Sequence, residues 1–266
     1  MKTRRILLLA SVVVICFFAV ESKGALASDD ASAYGSWPGQ NHGSGFDNWV
    51  FSNSSGNGSL DGEFLLTGND SRSQINTGGN SWGLYANSSQ TASAVRQFSS
   101  GATLGAGEQF LAKMDNGSID TGGVVGLGFQ NSAGANRLEF YFTGGALNYT
   151  LSIGGATSDT GIPFTDQGLS LVLKQGAANQ FELDVTRLDN NSTTILNGTL
   201  AGSDIAQIRF FNFNAGSGSG GAKDAFFNSI AAVPEPANVA LGIFAGLLVA
   251  GGLLRRARRS VVTLNR

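Results

Sequence analysis

The amino-acid sequence predicts an all-β chain, a two-sheet antiparallel sandwich, followed by a single C-terminal transmembrane helix. Three observations carry the sandwich. Short runs with apolar residues at every second position recur through the middle of the chain. Gly- and Asn-rich clusters separate these runs. Between residues 28 and 232 nothing shows the three-to-four spacing of an amphipathic helix.

The alternating runs are 108–114, 124–129, 137–142, 169–173, 180–188 and 205–213. In Phe181-Glu182-Leu183-Asp184-Val185 the apolar residues fall at i, i+2 and i+4, the period of a half-buried strand. Leu138, Phe140 and Phe142 repeat it, as do Ile208, Phe210 and Asn212. Turns are predicted at Asn116-Gly117, Gly144-Gly145, Gly154-Gly155, Asp189-Asn190-Asn191 and Asn197-Gly198. The size suits a jelly roll of about a dozen strands better than an immunoglobulin-like domain of ~100 residues. Residues 28–45 read as a Gly/Ser-rich lead-in, 46–232 as the sandwich, and 214–222 as a loop between its last two strands.

The N-terminus reads as a secretory signal over residues 1–27. Lys2, Arg4 and Arg5 precede an apolar run over 6–20, broken only by Ser11. Ala25 and Ala27 then supply the small residues a signal peptidase reads, which places cleavage after Ala27. The general secretory route, through the Sec translocon and signal peptidase, is expected. The competing reading, an uncleaved anchor, has a run that is short for a span. Cleavage removes Cys16, the only cysteine, so disulfides and thiolate sites are excluded from the mature chain.

The C-terminus has three parts in order. Val233-Pro234-Glu235-Pro236 is extended, because each proline fixes its own φ and biases its neighbour away from helix. Residues 237–254 carry no charge and only Asn238 as a polar residue. At ~1.5 Å per residue that stretch is about 27 Å long, enough to cross a bilayer core as a transmembrane helix. Arg255, Arg256, Arg258 and Arg259 follow and hold that end in the cytoplasm with residues 260–266, which puts the sandwich outside.

This order resembles the PEP-CTERM sorting domain of Gram-negative bacteria over residues 233–259. The resemblance implies recognition by an exosortase, transient residence in the inner membrane, removal of the tail, and delivery to the cell surface or the exopolysaccharide matrix. On it, Val233, Pro234, Glu235, Pro236 and the four arginines are sorting residues read by another enzyme. The competing reading is an ordinary single-span anchor. Gly79-Asn80-Ser81-Trp82-Gly83-Leu84-Tyr85-Ala86, with the closing Phe210-Phe211-Asn212-Phe213-Asn214 to Phe226-Phe227-Asn228-Ser229-Ile230, resembles the sandwich ectodomains that precede this tail. Those are similar to concanavalin-A-like jelly rolls, and the resemblance adds fold but little function.

Residues 28–232 carry 17 Asp and Glu against 8 Lys and Arg, a net charge of −9 that the whole-chain value of −2 conceals. So acidic a domain excludes nucleic acid as a partner and is compatible with divalent cations. Asp115, Asn116 and Asp120 group oxygen ligands around Gly117 and would be the first place for calcium, although the loop lacks the length and closing Glu of an EF-hand and also reads as a plain hairpin turn. No other cofactor is expected.

Other constellations are incomplete. Glu182 and Asp184 match the first two carboxylates of the Glu-x-Asp-x-Glu strand of laminarinase-like hydrolases, but Thr186 and Arg187 stand where the last belongs. A retaining glycosidase needs both carboxylates, and a solvated strand face accounts for the pair equally well. Residues 216–221 fit GxGxxG with no helix to follow, so they read as a Gly/Ser loop. His42 is the only histidine, which excludes a histidine-based zinc site, and no nucleophile elbow accompanies it. Trp37, Trp49, Trp82, Tyr85 and Tyr141 are potential platforms for sugar rings, with Trp49 and Trp82 also suited to the core. The expectation is therefore a non-enzymatic surface or matrix protein acting by adhesion, glycan contact or structure. A divergent glycan hydrolase and a calcium-dependent lectin-like module are the alternatives.

Overall fold

The computed structural model describes residues 26–56, 58–217 and 221–235. Fifteen strands follow in order: β1 (Ala27–Asp29), β2 (Val50–Asn53), β3 (Asp61–Leu66), β4 (Ser81–Ala86), β5 (Thr91–Gln97), β6 (Glu108–Asn116), β7 (Val124–Gln130) and β8 (Asn136–Thr143), then β9 (Asn148–Ile153), β10 (Ala156–Pro163), β11 (Leu169–Gln175), β12 (Gln180–Arg187), β13 (Thr193–Thr199), β14 (Gln207–Phe213) and β15 (Ala225–Pro234). Short 3-10 pieces lie at Ala31–Ala33, Ser99–Gly101 and Ala177–Asn179.

The strands form two antiparallel sheets. The eight-stranded sheet runs β13-β12-β11-β6-β15-β4-β3, with β1 added beside β15. The seven-stranded sheet runs β10-β9-β8-β7-β14-β5-β2. Alternation in sequence becomes alternation in burial. On β12, Phe181, Leu183 and Val185 are buried while Glu182 and Asp184 turn away from the core. Phe210 of β14 and Phe227 of β15, one from each sheet, stack at 4.2 Å with their planes 5° apart. Both are fully buried, and burial of such a ring is worth about 2–3 kcal/mol. Asn212 does share the core face with Phe210. Its Nδ2 donates to the carbonyls of Leu84 and Lys223 at 3.0 and 3.1 Å, which satisfies the buried amide.

The structure amends several sequence expectations. There are more strands than a dozen, because β2, β10 and β13 lack clear alternation. Asn197-Gly198 is no turn and lies inside β13. A Cβ at 198 would fall 2.8 Å from the Phe181 ring, so the glycine makes room for that side chain. Asn116-Gly117 is not a hairpin either, since β6 and β7 belong to different sheets. The lead-in is part of the sandwich: it holds β1, and Tyr34 and Trp37 are buried in the main core. Residues 67–80 cover part of the outer face of the eight-stranded sheet, where Leu66, Ile75 and Phe226 make a second cluster with Phe64 and Leu188.

Both ends of the sandwich pass the expected boundaries. Ala27 is fully buried and pairs with Ala232, and the Leu26 N–H donates to the Ala232 carbonyl at 2.8 Å. A cut after Ala27 therefore falls within β1. A Cβ on Gly45 would lie 2.1 Å from the Leu26 carbonyl oxygen, so the chain at 45 is fitted around residues 26 and 27. At the other end Val233 pairs with Gln109, Pro234 with Glu108, and the Glu235 N–H donates to the Gly107 carbonyl at 2.9 Å. Half of the VPEP element is thus the last rungs of β15. Ala25, Pro236, the 237–254 span and Arg255, Arg256, Arg258 and Arg259 lie outside the described residues. Among the described residues no helix is long and apolar enough to cross a membrane.

Candidate functional site

The outer face of the seven-stranded sheet gathers charged, aromatic and amide side chains around two glycines. Register defines it. Arg209 on β14 pairs with Gly128 on β7, and Gly128 pairs with Glu139 on β8. One rung along, Phe211 pairs with Gly126, which pairs with Tyr141. Each row thus has a side chain on either side and none in the middle, giving a shallow trough whose β7 floor lies buried beneath the flanking side chains. Ser152 and Thr150 on β9 extend the two rows beyond Glu139 and Tyr141.

The trough is shaped by packing. A Cβ on Gly126 would sit 2.4 Å from both the Phe140 carbonyl oxygen and Tyr141 Cβ, so Tyr141 leans across that position. The Tyr141 and Phe211 rings lie 6.5 Å apart. The Arg209 guanidinium stands over the Phe211 ring at 4.7 Å, a cation–π contact worth about 0.5–2 kcal/mol. Arg209 Nε is enclosed and has no hydrogen-bond partner. Along the rim, Gln207 Nε2 donates to Gln130 Oε1 at 2.9 Å and Gln130 Nε2 to Asn136 Oδ1 at 2.7 Å.

Burial dominates the electrostatics of the face. It pushes the Glu139 carboxyl above its usual range, against the opposing pull of Arg209 and of a hydrogen bond from Asn136. It pushes the Arg209 guanidinium down, against the pull of Glu139. The face therefore offers a half-buried anion on β8 and a half-buried cation on β14, with β7 between them and ring surface one rung away. Planar polar groups beside aromatic rings suit a ligand that presents hydroxyls at its edge and C–H groups on its face.

The residues singled out from sequence have different fates. Trp37, Trp49 and Trp82 fill the core, with Trp49 and Trp82 at 5.1 Å and Trp37 and Trp49 at 5.4 Å. Tyr85 lies on the opposite sheet, where its hydroxyl donates to the Gly58 carbonyl at 2.5 Å. Of the five aromatics, Tyr141 is the one on the glycine-floored face. Glu182 and Asp184 share one outward face, but Lys174 on β11 bridges them, with Nζ at 2.5 and 2.7 Å from the two carboxylates. His42 is exposed and meets the edge of the Tyr34 ring at 4.9 Å.

The calcium-loop residues take separate partners. Asp115 is buried and accepts the Gln74 N–H at 2.7 Å, and burial pushes its carboxyl up to about 6. Asn116 accepts from the Tyr149 hydroxyl at 3.1 Å. Asp120 pairs with Lys223 at 2.7 Å. Among the described residues no group of three or more His, Cys, Asp or Glu is placed to hold a metal. Arg209, Glu139 and Phe211 were missed in the sequence. The one local signal is Gly126 and Gly128 at i and i+2 on a strand otherwise built of Val, Leu, Phe and a closing Gln, which strips the middle of one face of its side chains.

No family model matches the sequence, and comparison with characterised proteins finds no relative in sequence. Solved structures share the architecture remotely. Lectin II from Ulex europaeus is 8% identical with a TM-score of 0.43, over 80% of this chain and 100% of the lectin. A β-glucanase from Bacillus licheniformis is 12% identical with a TM-score of 0.41, over 75% and 97%. The catalytic domain of a glycoside hydrolase family 131 protein from Coprinopsis cinerea is 12% identical with a TM-score of 0.44, over 65% and 78%. At these scores the likenesses carry nothing about activity. What the chain itself displays is an all-β, two-sheet antiparallel sandwich with one glycine-floored face.

Proposed function

We propose that this chain is an exported, non-enzymatic surface or matrix protein whose sandwich holds glycan on the outer face of the seven-stranded sheet. The observation that carries the reading is the trough of Gly126 and Gly128 between Arg209 and Phe211 on one side and Glu139 and Tyr141 on the other. A sugar ring lying on Tyr141 would present its hydroxyls to Arg209 and Glu139. Binding rather than hydrolysis is favoured because Lys174 occupies Glu182 and Asp184, the carboxylates nearest to a hydrolase pattern.

The test is binding of the exported protein to a glycan array and to insoluble polysaccharides, with and without chelator. Tyr141→Ala and Arg209→Ala are expected to weaken binding at least tenfold. Lys174→Ala, on the other sheet, should leave it unchanged. Equal loss in all three, or no binding by the wild type, ends the reading. Dependence on chelator would favour the calcium-dependent alternative.

Delivery belongs to the same proposal: Sec export, then exosortase recognition of the tail at the inner membrane, then release to the surface or the exopolysaccharide. Replacing Pro234, Glu235 and Pro236 by alanine should leave full-length precursor in the inner membrane. Alanine suits the strand end held by Pro234, so normal trimming of this variant would count against exosortase rather than against the fold.

A further inference from the structure

An uncovered strand edge is a template for another strand unless something blunts it. Three of the four outermost strands here are managed. β2 and β3 close one side of the sandwich: Asn53 Nδ2 on β2 donates to Glu63 Oε2 on β3 at 2.7 Å, and Ser54 and Ser55 bond to Asp61. β10 carries Asp159, Gly161 and Pro163 and breaks its register between Asp159 and Pro163. β13 has none of these devices. It keeps unbroken register with β12 from Thr193 to Thr199, and residues 190–203 contain no proline and no charge. Its Ile195 is 55% exposed.

The hydrogen bonds at the two ends of β13 show which backbone groups face outward. The Arg187 N–H donates to the Ser192 carbonyl at 2.9 Å, and the Leu200 N–H to the Asn179 carbonyl at 2.8 Å. Both pairs continue the β12–β13 register. Bonded and non-bonded pairs alternate in an antiparallel ladder. Thr194, Leu196 and Gly198 therefore bond to β12, while Thr193, Ile195, Asn197 and Thr199 turn their N–H and C=O groups away from it. These four positions are symmetrical about Leu196.

We propose that β13 is a self-association edge and that its occupant is β13 of a second copy of this chain. With the two-fold axis at Leu196, Thr193 faces Thr199 and Ile195 faces Asn197 of the other copy, so every outward group finds a partner. The two eight-stranded sheets then become one continuous sheet. A two-fold contact of this kind is isologous and closes at the dimer. No charge on the strand repels its own copy, and Thr–Thr neighbours favour the pairing. The proposal is independent of the glycan face, which lies on the other sheet. Two such faces in one particle would raise avidity for a repeating polymer.

Light scattering after size exclusion of the full chain in detergent tests it. The wild type is expected at twice the protomer mass. Ile195→Lys puts two cations beside the axis and should halve that mass. Ile195→Pro should do the same, since it removes an outward N–H and leaves the bonds to β12 in place. Thr157→Lys on β10 should stay dimeric. Unchanged thermal unfolding of the variants shows that the sandwich is intact. A monomeric wild type, a dimer that both Ile195 variants leave intact, or pairing only with strands of other proteins overturns the proposal.

Discussion

Asp29 and Arg96 meet at 3.2 Å with side-chain exposures of 0% and 2%, the acid on β1 of one sheet and the guanidinium on β5 of the other. Around them, the Tyr34 hydroxyl donates to Asp29 Oδ2 at 2.5 Å, Trp49 Nε1 donates to the Tyr34 oxygen at 2.9 Å, and Arg96 donates to Asn41 Oδ1 at 3.1 Å. Burial pushes the acid up and the guanidinium down in spite of each other's charge. The pair ties β1 of one sheet to β5 of the other. Asp29→Ala or Arg96→Ala should each cost about 3–5 kcal/mol, because one enclosed charge is left uncompensated. Asp29→Leu combined with Arg96→Met should recover more than half of that loss. Urea unfolding of the three variants checks it, and a double variant no better than the worse single one would show that the pair is needed for stability.

Asp115 links stability to pH. Its folded value is raised from 3.8 to about 6 by burial, so the ionised form is the costly one. Its contribution is complete below about pH 4, the unfolded value, and is lost as the pH rises through about 6. Asp115→Asn keeps an acceptor for the Gln74 N–H and removes the charge. The variant should gain roughly 1–3 kcal/mol over the wild type at pH 8 and little at pH 4. Asp224 is also raised to about 6, but it is common to both proteins and cancels in the difference. Chemical unfolding at the two pH values is the measurement, and an equal effect at both would remove the carboxyl from the account.

The two floor glycines should respond differently to one methyl group. At Gly126 the new Cβ meets the Phe140 carbonyl oxygen and Tyr141 Cβ at 2.4 Å, atoms fixed by the backbone. Gly126→Ala should therefore cost about 1–3 kcal/mol. At Gly128 the nearest atom is Glu139 Cγ at 3.2 Å, on a side chain that can give. Gly128→Ala should change stability by less than about 1 kcal/mol. It should still weaken glycan binding, by raising the floor beside Arg209 and Glu139. Thermal unfolding and glycan pull-down, run on both variants, separate the two effects.

Lys174, Glu182 and Asp184 carry little stability. Their side chains are 31%, 39% and 21% exposed, and water screens the bridges. Glu182→Gln should shift stability by no more than about 1 kcal/mol. Turnover of β-glucan by the wild type that Glu182→Gln abolishes would restore the hydrolase alternative.

Much of the fold was legible because a half-buried strand writes its period into the chain. The runs around Phe110, Leu127, Phe140, Leu171, Leu183 and Phe210 are β6, β7, β8, β11, β12 and β14, and the turns at Gly144-Gly145, Gly154-Gly155 and Asp189-Asn190-Asn191 join consecutive strands. The exposed edge β13 escaped because its residues are polar or half-exposed on both faces. The lead-in escaped because glycine and serine look alike in a linker and in a segment fitted closely against β1.

The chain alone determined a β-sandwich between two apolar ends, an acidic domain, and the absence of any thiol beyond Cys16, since period, charge and composition are local properties of a sequence. Tertiary structure decided the rest. It buried Trp37, Trp49 and Trp82, tied Ala27 and Pro234 into neighbouring rungs, and set Arg209 and Glu139 on either side of Gly128. Arg209 lies far from Gly128 and Glu139 in the chain, and only the register between strands brings the three into one row.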